Sequence, residues 1–360
     1  MAFINIITQQ QNKMESLMDD SINVICGFID FDGLCTLLFV NKNIKNIISY
    51  HYNIYKKYIM DNKYKNILYN NAVKYEQYNL INYLIFLNAN YCNNGLKIAA
   101  GLNNKKMVEF LILKGATYID SAMAKAAENN HREMVDLMIS KGACKWNVTM
   151  AHAAKNNHRE MVDYMISKKA SIWNQAMAFA AFNNHIDMID YMISKGAREW
   201  NWTMVNAAEN NHMEIVKYMI SKGANDWDTA MIYAAENNHM EMVKYMITKG
   251  ANNWNFAMAY SAKNNHMEMI LFMISKGANN WNLAMAYAAE NNQMETVIFM
   301  ISRGANDWNL AMSCAAKNNH RDMIEFMISK GANDFELAKH GAIKNNHLEI
   351  VQLCKLYSQK

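Results

Sequence analysis

The chain has 360 residues, 52% of them hydrophobic and 19% charged, and its 36 Lys and Arg against 32 Asp and Glu leave a net charge of +4. That apolar content is ample for a core, and so mild a charge, with no basic stripe on one face, argues against a nucleic-acid partner. No run of ~18 apolar residues marks a membrane span, and the start MAFINIITQQQNK lacks the basic opening and long apolar stretch of a secretory signal. Proline is absent, and the six cysteines (Cys26, Cys35, Cys92, Cys144, Cys314, Cys354) form no C-x-x-C pair and no regular spacing. They read as reduced thiols in a cytoplasmic protein, with the nucleus as the alternative compartment.

In chain order, residues 1–14 read as a flexible N-terminus. Residues 15–50 begin ESLMDDSINVICGFIDFDGLCTLLFVNKNIKNII. Ile22, Ile25, Phe28 and Ile29 suit one helix, Asp30-Phe31-Asp32-Gly33 a turn and helix start, and Leu34, Leu37, Leu38 and Ile44 further short helices. Residues 51–64 predict a helical connector. The 15–50 segment resembles an F-box, whose pattern runs roughly L-P-x-E-I-L-x-x-I-L-x-x-L-D-x-x-D-L-x-x-L-x-x-V-C-k-x-W. Leu17, Ile25, Phe28, Ile29, Asp30, Leu34, Leu37, Val40 and Lys42 match it in order, while its proline slot holds Met18 and its tryptophan slot Ile44. The resemblance implies that Leu17, Ile25, Phe28, Leu34, Leu37 and Val40 bind the Skp-type adaptor of a cullin ubiquitin ligase. Without the resemblance, the same helices read as a cap on the segment beyond residue 64.

From residue 65 onward a block of 27 residues repeats. AAENNHREMVDLMISKGA (126–143), AAENNHMEMVKYMITKGA (234–251) and AAENNQMETVIFMISRGA (288–305) are three copies. Numbered from the tryptophan as position 1, units begin at Lys65, Cys92, Ile119, Trp146, Trp173, Trp200, Trp227, Trp254, Trp281, Trp308 and Phe335. A period in the range of roughly 20–50 residues marks a stacked array, in which each unit buries its apolar face on its neighbours. Each unit predicts two helices. The first has Met285, Ala288 and Ala289 on one face, with Asn282 after the tryptophan as its cap, and stops at Asn291-Asn292, because asparagine tolerates the left-handed conformation. The second is capped by His239, carries Glu241 in its first turn and Lys249 in its last, and buries Met242, Val243, Tyr245, Met246 and Ile247. It ends at Gly250. In one unit Lys169 stands in that glycine slot, which predicts a weak point.

AAENNHMEMVKYMITKGANN (234–253) resembles the second half of an ankyrin repeat, AAxxGHxEVVKLLLxxGADVN, almost residue for residue. Two features depart from that family. The T-P-L-H-x-A entry becomes patterns such as Leu283-Ala284-Met285-Ala286-Tyr287-Ala288, and six residues are missing from the usual period of about 33, in the segment that forms a projecting β-hairpin. This looks like the shortened repeat of giant DNA viruses, with the tryptophan covering surface the hairpin leaves bare. The expected fold is all-α: an ankyrin-like solenoid of about eleven helix–turn–helix repeats over 65–360, lacking full β-hairpins.

Positions 3, 7 and 10 vary most among copies and are spaced i, i+4, i+7, which places them on one stripe of the first helix. The ankyrin resemblance implies that first helices line a concave side that binds protein. Aromatic anchors favoured at such interfaces concentrate there as Phe179, Phe182, Trp202, Tyr233, Phe256, Tyr260 and Tyr287. Position 7 reads equally as packing between units. The expected partner is a protein or an extended peptide bound to a monomer, with no nucleic acid and no membrane. Eight histidines on the grid (His131, His158, His185, His212, His239, His266, His320, His347) suggest a metal ladder, yet neighbours should stand one repeat apart, so helix capping is the expected role. No G-x-S-x-G, H-E-x-x-H or phosphate-binding glycine loop occurs. Neither an enzyme nor a cofactor or metal is expected. The expected function is a substrate receptor for a cullin ligase, or else a plain ankyrin scaffold or inhibitor that sequesters a protein.

Overall fold

In the computed structural model the described residues are 62–86 and 91–358. The F-box-like segment and nearly all of the connector lie outside them. Among the described residues there are twenty-two helices and no strand. They pair in the predicted register: Trp173–Phe182 with Ile186–Lys195, Trp227–Glu236 with Met240–Lys249, Trp308–Lys317 with Arg321–Ser329. The first pair, Asn62–Lys74 and Tyr78–Phe86, opens slightly ahead of Lys65. The described helices group into two compact units, one running to Ala153 and adding Glu160–Lys169, the other holding Ala154–Arg159 and everything from Ala170. Within each, first helices pack on first helices of the next repeat, as Cys92–Gly101 does on Ile119–Glu128 and Trp254–Lys263 on Trp281–Glu290.

Both helix ends that the sequence marks close in the same way. After the first helix, Asn238 adopts φ 60°, its N–H reaches Ala235 O at 3.2 Å, and His239 N–H reaches Ala234 O at 2.8 Å. After the second, Gly250 at φ 115° repeats the pattern, with N–H bonds from Gly250 to Ile247 O at 3.0 Å and from Ala251 to Met246 O at 3.1 Å. These crossed bonds satisfy carbonyls that a helix end leaves bare. No atom lies within 4 Å of a Cβ placed on Gly223, Gly250 or Gly277, so backbone conformation and not crowding selects glycine there. Lys169 occupies the same left-handed slot at φ 76°.

The core is built from small and flexible side chains. Met285, Ala288 and Ala289 of a first helix are fully buried, as are Met242, Val243 and Met246 of a second. Each buried methionine contributes roughly 1.5–3 kcal/mol relative to exposure, and the alanines let helices approach closely. Tyr245 and Ile247 are only half-buried, so the second helix has a narrower buried face than its composition suggests. One pair of departures is coupled. Tyr69 takes the methionine slot of its repeat, and a Cβ on Gly95, in a slot that every later repeat fills with alanine or threonine, would stand 2.8 Å from the Tyr69 ring. The larger residue in one repeat requires the missing Cβ in the next.

The first-helix cap differs from the sequence expectation. The helix opens at the tryptophan itself, and the residue before it is the cap: Asn280 accepts the Leu283 N–H, Asp307 the Leu310 N–H and Asp334 the Leu337 N–H. Asn282 and its equivalents, one residue inside the helix, reach instead to the loop that leads into the next repeat. Asn282 Oδ1 accepts the N–H groups of Asn306 and Asp307 at 2.7 and 3.0 Å. Asn255, Asn309 and Asn174 hold the equivalent loop pairs, and so do the aspartates Asp120 and Asp228. A single side-chain oxygen thus fixes the entry of the following helix.

Two outcomes are expected in urea unfolding. Lys169→Gly raises stability by roughly 1 kcal/mol by removing a left-handed lysine, whereas Lys169→Ala gives no such gain. Asn282→Ala lowers stability by about 1–2 kcal/mol through two unsatisfied loop N–H groups, and Asn282→Asp stays near wild type, since aspartate already does this work at two other repeats.

Candidate functional site

Positions 4, 5, 8 and 9 of the first helix face the core, which leaves positions 3, 7 and 10 at the surface. At position 3, Trp202 and Phe256 are each 43% exposed, large apolar side chains presented to solvent. At position 7, Phe179, Tyr233, Tyr260 and Tyr287 are half-buried. Tyr233 and Tyr260 meet edge-on with ring centroids 5.9 Å apart, and Tyr260 and Tyr287 lie tilted at 5.1 Å. The packing and surface readings of position 7 therefore describe one arrangement, since each ring covers its neighbour and still borders the surface. Burial first, then Tyr260, pushes the Tyr287 hydroxyl up to about 12, and burial likewise raises Tyr233, so both remain neutral donors.

Position 10 carries charge. Lys263 pairs with Glu236 at 3.1 Å, and Lys155 lies 4.5 Å from the Phe182 ring centroid. Burial alone would raise Glu128, but Lys125 at 3.1 Å and His152 at 3.2 Å outweigh it and hold the carboxyl below its ordinary value. Glu209 has no such partner among the described residues. Burial first, then the neighbouring Glu236, pushes its carboxyl up.

Two depressions open between neighbouring first helices along this stripe, one in each unit. One, of about 440 Å³, is bordered by Lys97, Ser121, Lys125, Val148 and His152. The other, of about 490 Å³, is bordered by Trp202, Tyr233, Glu209, Glu199 and Asp226. Trp202 and Tyr233 are thus brought together in one depression and the three tyrosines in one row, while Phe179, Phe182 and Phe256 border neither depression. Glu209 stands at position 10 of the predicted stripe, while Glu199 and Asp226, both at position 27, were missed in the sequence because they lie just before the first helix rather than on it.

The grid histidines stand at the first residue before the second helix, as expected, but their side chains make no cap bond there. Most of these rings reach back one repeat instead. His212 Nε2 bonds Phe182 O at 2.9 Å, His239 bonds Glu209 O at 3.0 Å, and His266 bonds Glu236 O at 3.0 Å. A carbonyl only accepts, so Nε2 carries the proton. Asn264 Nδ2 donates to the same Glu236 oxygen at 2.8 Å, which fills both of its lone pairs. Among the described residues no group of three or more His, Cys, Asp or Glu is arranged to hold a metal, and no helix is long and apolar enough to cross a membrane.

A row of paired helices whose first members present variable aromatic and charged side chains defines a helical-repeat binding protein. The family model for ankyrin repeats (3 copies) matches residues 96–176, 123–201, 177–257 and 204–283. These ranges together cover more than half of the chain, which belongs to the ankyrin-repeat family. Comparison with curated proteins gives no match. Ankyrin repeats make this chain a protein-interaction scaffold.

Burial lowers the His185 and His239 rings below the ordinary 6.5, with neighbouring histidines adding to the shift. The unfolded chain then binds more protons than the fold near that pH, so the stabilisation is complete above 6.5 and is lost as pH falls through the lower folded value. The urea midpoint of the protein is expected to drop between about pH 7.5 and about pH 5.5, and His239→Gln to drop less. Glutamine already fills this slot as Gln293.

Proposed function

We propose that the array holds its partner protein along the stripe formed by positions 3, 7 and 10, with Trp202, Phe256 and the tyrosine row as anchors. The observation that carries this reading is the exposure of Trp202 and Phe256, with Trp202 at the border of a surface depression, on a face where the other positions are spent on packing. Buried aromatic anchors dominate interface energetics, and truncating one costs about 2 kcal/mol or more of binding. The finer reading is that the bound protein is a ubiquitination target. It rests on the F-box-like order of Leu17, Ile25, Phe28, Leu34, Leu37 and Val40, which lies outside the described residues. The 27-residue period and the chain's resemblance to viral repeats support a target from a host cell.

Pull-down with the Skp-type adaptor separates this reading from that of a plain scaffold. Wild type is expected to retain the adaptor and Leu34→Asp/Leu37→Asp to lose it. Equal retention, or none by wild type, removes the ligase role and leaves a scaffold whose activity survives deletion of residues 1–60. For the stripe, Trp202→Ala/Phe256→Ala is expected to weaken partner binding at least tenfold with an unchanged circular dichroism spectrum, whereas Lys244→Ala, on the second helix, leaves binding intact.

A further inference from the structure

The two depressions both lie between first helices yet differ in lining and in chemistry. Lys97, Lys125 and His152 border the first, and no aromatic ring besides that imidazole does. The second is bordered by Trp202 and Tyr233 together with Glu199, Glu209 and Asp226, and by no Lys, Arg or His. The basic groups stand at positions 6 and 7 and the acidic ones at positions 10 and 27, so the two depressions draw their charge from different slots of the repeat. The half-buried Glu209 differs from the position-10 carboxylates Glu236 and Glu128. Glu236 has Lys263, and Glu128 has Lys125 and His152, but among the described residues no ion pair reaches the Glu209 carboxylate. Asp226 accepts the Thr229 N–H with one oxygen at 3.3 Å.

We infer that this second depression is a socket for one cationic side chain, lysine or arginine, carried by an extended basic segment of the partner protein. The inference rests on the stripe as the partner-binding face. An apolar side chain placed there would bury Glu209 without a counter-charge, and an acidic one would meet three carboxylates. A cation answers both. Its charge meets Glu209, Glu199 and Asp226, and its flat or methylene-rich body lies against the indole of Trp202 and the phenol of Tyr233, whose faces attract cations. Tyr233 at its edge meets Tyr260 of the next repeat, so the cation arrives on a chain that runs across repeats.

The full chain, immobilised, can be screened against a library of random peptides of about a dozen residues. Wild type is expected to retain peptides with lysine or arginine at one fixed place, and Glu209→Gln, an isosteric change, to reduce that enrichment on the order of tenfold. Trp202→Ala should do the same, and circular dichroism checks that both variants are folded. Retained peptides without a cation preference, or enriched in acidic residues, overturn the socket and leave the stripe standing. A cation preference unchanged in both variants also overturns it. If the wild-type chain retains no peptide of any class, the socket and the stripe fall together.

Discussion

Side-chain ties at the ends of the first helices hold most repeats to the next. At the N-terminal end, the oxygen of a position-2 asparagine or aspartate accepts two loop N–H groups, as Asn255 does for Asn279 and Asn280 at 2.8 and 2.9 Å. At the C-terminal end, the carbonyl of position 10 accepts from the asparagine, the histidine or both of the following repeat in most copies, as Gly101 O does from Asn129 at 2.7 Å and His131 at 3.0 Å. Both ties are hydrogen bonds with defined geometry, so they set spacing and register in a way that apolar contact alone does not. This explains why the core can be made of alanine and methionine, residues that fill space without specifying it. The polar ends determine where the helices sit, and the apolar middle stabilises them there.

The division of labour also frees the surface. Core slots and tie slots are nearly uniform among copies, while positions 3, 7 and 10 run through serine, tryptophan, tyrosine, glutamate and lysine. Trp202 stands where another copy has Thr229, and Glu209 where another has Lys155, without a change in either tie or core.

Much of the fold was legible in the sequence because its signals are local. The 27-residue grid, the Asn-Asn stop and the glycine stop all act within one helix end, and each lies where the pattern puts it. Membership of the ankyrin family was legible for the same reason. What the sequence hid were partners far along the chain. An asparagine beside a helix start and a histidine before another both look like caps. Their true acceptor and donor groups stand 24 and 30 residues away, for example Asn306 for Asn282 and Glu209 for His239. The candidate stripe was legible as variability. Its sockets were not, because Trp202, Glu209 and Asp226 meet only when two helices are laid side by side.

The ties have a consequence for how such a chain can change over time. Because every link runs between one fixed slot and another at a constant offset, an added or lost copy of 27 residues restores the same bonds at the new junction. Unequal exchange within the gene can therefore lengthen or shorten the array without a matching change elsewhere. Each inserted copy brings three unconstrained surface slots with it, so growth of the chain and the gain of new specificity are one event.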